Sequence, residues 1–169
     1  MGDKRAEAPV RKVFGRWMLP AIDKVAAAGV LTRLGDPAAK DALLKEMQRK
    51  RSDVRGLAME IAGELKVAEA VPILEAVFRD QLDEYRGSAA MGLGSMKQER
   101  FTRDFESVLR DEAQTEDLRG DVAWALQLLG TDDALRALKD ASTAVKDDRV
   151  REDIHHALQE HLSPARPAG

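Results

Sequence analysis

Apolar and small residues recur along this chain at helical spacing, and the recurrence has a second, longer period. The phrase DVRGLAMEIAGEL, from Asp53 to Leu65, returns as EYRGSAAMGLGSM, DLRGDVAWALQLL and RVREDIHHALQEH. Its arginines are Arg55, Arg86, Arg119 and Arg151, at separations of 31, 33 and 32 residues. Each follows an apolar residue, and each precedes a small or apolar residue by three or four positions: Ala58, Ala89, Val122 and Ile154. The adjacent pairs Ile61-Ala62, Gly92-Leu93, Ala125-Leu126 and Ala157-Leu158 come next. Spacings of three, four and seven put these positions on one face of a helix. A near-constant period of about 32 is that of stacked helical hairpins.

A second helix follows each of the first three phrases. Ala70, Leu74, Val77 and Phe78 mark one, Phe101, Phe105, Val108 and Leu109 the next, and Leu135, Leu138 and Ala141 the third. Breakers separate the members of each pair at Lys66-Val67, Lys97-Gln98 and Gly130-Thr131-Asp132, with Thr131 or Asp132 as a candidate N-cap. The pattern also runs backward. Val30-Leu31, Leu34, Ala39, Leu43 and Met47 predict an earlier pair, broken at Gly35-Asp36-Pro37, with Asp36 as N-cap and Pro37 at the first helical position. Lys24 stands in the arginine slot there. The expected fold is all-α: about four helical hairpins and a terminal helix near Asp148–Leu162. Residues 1–9 are expected to be flexible, 10–162 to form a single repeat domain, and the tail 163–169, with Pro164 and Pro167, to be disordered.

The phrase resembles the HEAT-like repeats of bacteria, also called phycocyanobilin lyase-type repeats, over about Ile22 to Leu162. The resemblance implies an α-α superhelix, a solenoid with first helices on the convex side and second helices on the concave side. It also implies an inter-repeat ladder of acids and arginines: Asp53, Arg55, Glu84, Arg86, Asp117, Arg119 and Arg151.

Composition narrows the picture. The chain has 169 residues, no cysteine, 34% charged and 4% aromatic residues and a net charge of -3. Disulfides and thiolate metal sites are excluded. The charge balance argues against a nucleic-acid partner, which would want an excess of Lys and Arg on one face. No apolar run approaches the roughly 20 residues that span a bilayer, and the basic start carries no secretion signal, so a soluble cytoplasmic protein is expected. In VRKVFGRWMLP, residues Val10, Val13, Phe14 and Trp17 share a helical face. That segment reads either as a cap on the first hairpin or as a basic amphipathic segment for a membrane or a partner helix.

Two surfaces are candidates for partners. Arg79, Arg103, Glu106, Arg110, Arg136 and Lys139 fall on the second helices and would face a concave groove, as a solvated charged face or as a site for a partly acidic peptide or helix. Met91, Trp124 and His156 stand in register with Glu60 on the first helices and would form a convex column; aromatics and Met are enriched at interfaces. Gly87, Gly92 and Gly94 fall in one first helix, which is expected to be the softest part of the array; close packing or a local bend would equally explain them. No catalytic constellation, cofactor site or metal site stands out. His155, His156 and His161 read as part of an amphipathic terminal helix, and MGLGSMK lies in a helix without the strand that a phosphate loop needs. The expected function is a non-catalytic scaffold or adaptor for another protein. An enzyme-associated subunit like the bilin lyases, or a membrane-recruited adaptor, are the alternatives.

Overall fold

A computed structural model of the chain describes residues 7–15 and 19–162, with the backbone alone for Glu7, Val13, His161 and Leu162. Trp17 and the tail 163–169 lie outside the described residues, and so do the expectations placed on them. Ten α-helices and no strand occur among the described residues: α1 (Glu7–Phe14), α2 (Ala21–Arg33), α3 (Pro37–Met47), α4 (Arg55–Glu64), α5 (Val71–Arg79), α6 (Arg86–Ser95), α7 (Thr102–Arg110), α8 (Glu116–Leu129), α9 (Asp132–Ala144) and α10 (Asp148–Leu162). Short 3-10 turns, Ala68–Ala70 and Glu99–Phe101, lead into α5 and α7. The first helix already begins at Glu7, within the stretch expected to be flexible.

Each first helix of a pair ends the same way. Gly35, Lys66, Lys97 and Gly130 all have positive φ, at 91°, 54°, 56° and 66°. A left-handed residue there stops the helix and turns the chain back. Gly130 takes this shape freely, whereas Lys66 and Lys97 hold it against the usual preference of side-chain-bearing residues. The second helices then start on caps that the sequence supplies. The Asp36 carboxylate accepts from the Ala38 and Ala39 N–H groups, at 2.9 and 3.2 Å. The Thr131 hydroxyl accepts from the Ala134 N–H at 3.3 Å.

The helices group into two compact units, one up to Gly92 and one from Leu93. Within the first, α1 packs on α2, α2 on α3 and α4, and α3 on α4. Within the second, α7 packs on α8 and α9, α8 on α9, and α10 on both α8 and α9. Contacts therefore run between neighbours and next neighbours in sequence, which is how a repeat shares its core. Leu31, Leu43, Met47, Met59 and Leu74 fill the first unit and Phe101, Phe105, Leu109, Leu126, Leu138 and Ile154 the second, all almost fully buried. Phe101 and Phe105 stack at 5.9 Å between ring centroids.

Glycines mark where helices approach most closely. A Cβ built on Gly63 of α4 would lie 2.5 Å from the Gly92 Cα in α6. One built on Gly94 would lie 2.6 Å from the Ala125 carbonyl oxygen of α8. Close packing surrounds Gly92 and Gly94.

Acid sensitivity follows from the caps. The Ala39 N–H, assisted by the Ala38 N–H and by Arg11, holds the Asp36 carboxyl below its ordinary value of 3.8. A carboxyl depressed on folding stabilises the fold above its unfolded value, and that contribution is lost as pH falls through the folded value. The wild type is expected to lose more stability than D36N between pH 7 and pH 3, as measured by urea midpoints. Asparagine keeps a cap acceptor without the titration.

Candidate functional site

The repeated arginine sits at the start of each first helix, and its long side chain reaches back to the end of the preceding helix. The Arg55 Nε–H donates to the Met47 carbonyl at 2.7 Å, Arg86 to Phe78 at 3.0 Å and Arg119 to Leu109 at 3.0 Å. Arg151 donates to the Lys146 carbonyl at 3.2 Å and pairs with Asp148. Carbonyls at a helix C-terminus lack intrahelical donors, so a guanidinium there satisfies them and meets the negative end of the dipole. Arg55 and Arg119 are 4% and 3% exposed. Arg55, Arg86 and Arg119 bind helix ends, Arg55 and Arg119 while buried, whereas Arg151 binds the loop after α9 and stays partly exposed.

The acids beside them behave differently from the arginines. Arg55 is gripped by both oxygens of Asp83, at 2.8 and 2.7 Å, while Asp53 is exposed. Asp83 also caps its own turn by accepting from the Tyr85 N–H at 3.0 Å. The Tyr85 hydroxyl donates to the Ser52 carbonyl at 2.9 Å, and the Arg55 guanidinium lies 5.5 Å from the Tyr85 ring centroid. Glu84 is exposed. Asp117 pairs with Arg149 at 2.7 Å, and this attraction raises the pKa of Arg149. Asp83 lies 28 residues after Arg55, and Asp147 lies at the same offset from Arg119. The signal is an acid 28 residues after the arginine, present for Arg55 and Arg119 but not for Arg86, where Gln114 stands. The acid two positions before the arginine in each of the first three phrases is the commoner pattern and masks it.

Around Arg119 the arrangement is looser. Its Nη2 is buried and has no hydrogen-bond partner among the described residues. Asp147 accepts instead from the Val150 N–H at 3.0 Å, and that bond, ahead of its neighbours Glu116 and Arg119, lowers the Asp147 pKa. A recess of about 370 Å³ here is lined by Glu112, Glu116, Asp117 and Asp147 together with Arg119 and Arg149.

The wider cavity of the second unit is a groove of about 480 Å³ lined by α7, α9 and the turns before them. Of the residues expected on a concave face, it brings together Arg103, Glu106 and Arg136, alongside Glu99, Arg100, Asp133 and Asp140. Glu106 is paired with Arg110 at 3.0 Å and Arg136 with Asp133 at 2.9 Å. Arg103 is exposed and has no ion-pair partner among the described residues. Arg110 and Lys139 are exposed but do not line the groove. Arg79 belongs to the first unit, where it pairs with Glu75 at 3.1 Å. Of the column expected on the other side, Met91 and Trp124 are half-buried and His156 is exposed. Glu60, in the same register, accepts from the Ser88 hydroxyl at 2.9 Å.

Among the described residues, no group of three or more His, Asp or Glu is placed to hold a metal ion. No described helix is long and apolar enough to cross a membrane.

Helical pairs of this length, repeating in sequence order and joined at one arginine position, point to a repeat family. The family of HEAT repeats matches two overlapping stretches, residues 20–94 and 78–159. The chain belongs to the HEAT repeat family. The match spans α2 to the greater part of α10, so the HEAT assignment covers all four hairpins. A comparison with curated proteins found no match. HEAT repeats as a class serve as protein-interaction scaffolds, and the arrangement here can offer a partner charged helix faces with a rigid buried core beneath them.

Proposed function

We propose that this HEAT-repeat chain is a non-catalytic scaffold or adaptor of the cytoplasm, and that the groove between α7 and α9 receives a partly acidic segment of a partner protein. Arg103 carries this reading. It is an exposed cation that lines the groove together with Arg136, and it has no ion-pair partner among the described residues. An extended or helical segment with one or two carboxylates would pair with Arg103 and compete with Asp133 for Arg136. Trp124 of α8 and His156 of α10, from the residues expected on the convex side, are a second candidate surface within the second unit. The bacterial phycocyanobilin lyase-type subclass, and with it an enzyme-associated role, rests on the repeat phrase alone.

The groove can be tested without knowing the partner. Selection from a random peptide library on the immobilised protein should enrich acidic sequences. Their Kd should rise about tenfold or more in R103E/R136E, as for charge reversal in a complementary contact. It should not change in K50E, an exposed cation elsewhere. Trp124→Ala, measured in parallel, reports on that second surface. Selection that yields no acidic peptides, or binding indifferent to the double reversal, would contradict the groove.

A further inference from the structure

A helix at the beginning of a repeat array is normally covered on its outward side by a cap or a polar face. Among the described residues, the side of α2 left exposed by α1, α3 and α4 is neither. Ile22 and Val30 are 56% and 43% exposed, the largest exposures of large apolar side chains among the described residues apart from Leu82. Ala26 between them is exposed as well. At 3.6 residues per turn, Ile22, Ala26 and Val30 lie within one arc of about 80°. Asp23 and Arg33, at opposite ends of the helix, complete an arc of about 100°. Both are exposed, and neither has an ion-pair partner among the described residues. The face is thus an apolar strip with an unpaired acid toward its N-terminal end and an unpaired base toward its C-terminal end.

This layout matches itself when reversed. If a second α2 lies antiparallel across the first, residues whose numbers have a constant sum face each other. The register that sets Asp23 against Arg33 also sets Ala26 against Val30, and Ile22 against the half-buried Leu34. Both ion pairs form at once, because a twofold interface repeats each contact. Two parallel copies would instead set acid against acid and base against base. The small Ala26 lets the helices approach near the crossing point.

We propose that α2 is a self-association surface, joining two copies of this chain through an antiparallel α2–α2 contact with reciprocal Asp23–Arg33 pairs. The face is one helix wide, which places it among small, transient interfaces. It shares no residue with the α7–α9 groove, so different substitutions test the two.

Charge exchange tests it. Sedimentation velocity over a concentration series should show the wild type passing from monomer to dimer. D23R places Arg against Arg33, and R33D places Asp against Asp23. Each should weaken dimerisation by about tenfold or more, and the double exchange D23R/R33D should restore it to within about threefold. All five side chains are exposed, so circular dichroism should show unchanged helix content. A wild type that stays monomeric up to about 1 mM overturns the proposal and leaves the face to a helix of another protein. Dimerisation that ignores the single reversals, or that the double exchange fails to restore, overturns it too.

Discussion

Replacing Asp83 with alanine should lower the stability of the chain by about 3–5 kcal/mol, the largest effect expected of any single side chain here. Arg55 and Asp83 have side-chain exposures of 5% and 7% and meet at 2.7 Å. Removing the acid leaves a guanidinium buried and uncompensated, with only the Met47 carbonyl and the Tyr85 ring beside it. It also removes the acceptor for the Tyr85 N–H. A pair on the surface would be worth far less, since water screens it. The neighbouring acid makes the contrast. Asp53 is exposed and Asp53→Ala should change stability by less than about 0.5 kcal/mol. Urea denaturation of both variants measures the difference. Equal effects would mean that the adjacent acid matters as much as the one 28 residues on.

Gly63→Ala should be the second large effect, a loss of about 2–3 kcal/mol. Two terms oppose one another. Alanine is a better helix former than glycine by about 1 kcal/mol, and α4 is a helix. Against that, the new Cβ would sit 2.5 Å from the Gly92 Cα and 2.8 Å from the Gly92 carbonyl oxygen. Both are backbone atoms and cannot rotate away as a side chain would. The helices must separate, which uncovers Met59 and Leu74, both almost fully buried. Packing therefore outweighs propensity. Thermal denaturation of Gly63→Ala reads the sign directly, and a rise in Tm would show that α4 and α6 do not meet at these glycines.

These two sites also show what the sequence made legible. The period of the arginine phrase was enough to place the helical pairs, because every repeat must bury the same face against its neighbour. The break at Gly35-Asp36-Pro37 was readable because each of its residues has one physical job there. Thr131, with its cap acceptor, was readable for the same reason. The partner of Arg55 was not readable in that way. Two acids, Asp83 and Glu84, stand just ahead of the second phrase, and only three-dimensional packing decides which one meets the guanidinium of the earlier repeat. The same holds for Lys66 and Lys97. They mark breaks as clearly as Gly35 and Gly130, yet their left-handed backbone is imposed by the turn and not announced by the residue type. Of the charged positions on the second helices, the groove unites Arg103, Glu106 and Arg136 and leaves out Arg110 and Lys139. A helical period gives the angle of a side chain around its own axis, but the neighbouring helix decides whether it faces a cavity.

The first complete lock between one helical pair and its successor is the Arg55–Asp83 contact. A double-mutant cycle on Arg55 and Asp83, using Arg55→Met, Asp83→Ala and the pair together, measures that lock most directly. Coupling of at least about 2 kcal/mol is expected, with the double variant more stable than Asp83→Ala alone because it no longer buries a lone charge. Losses that simply add would contradict the account.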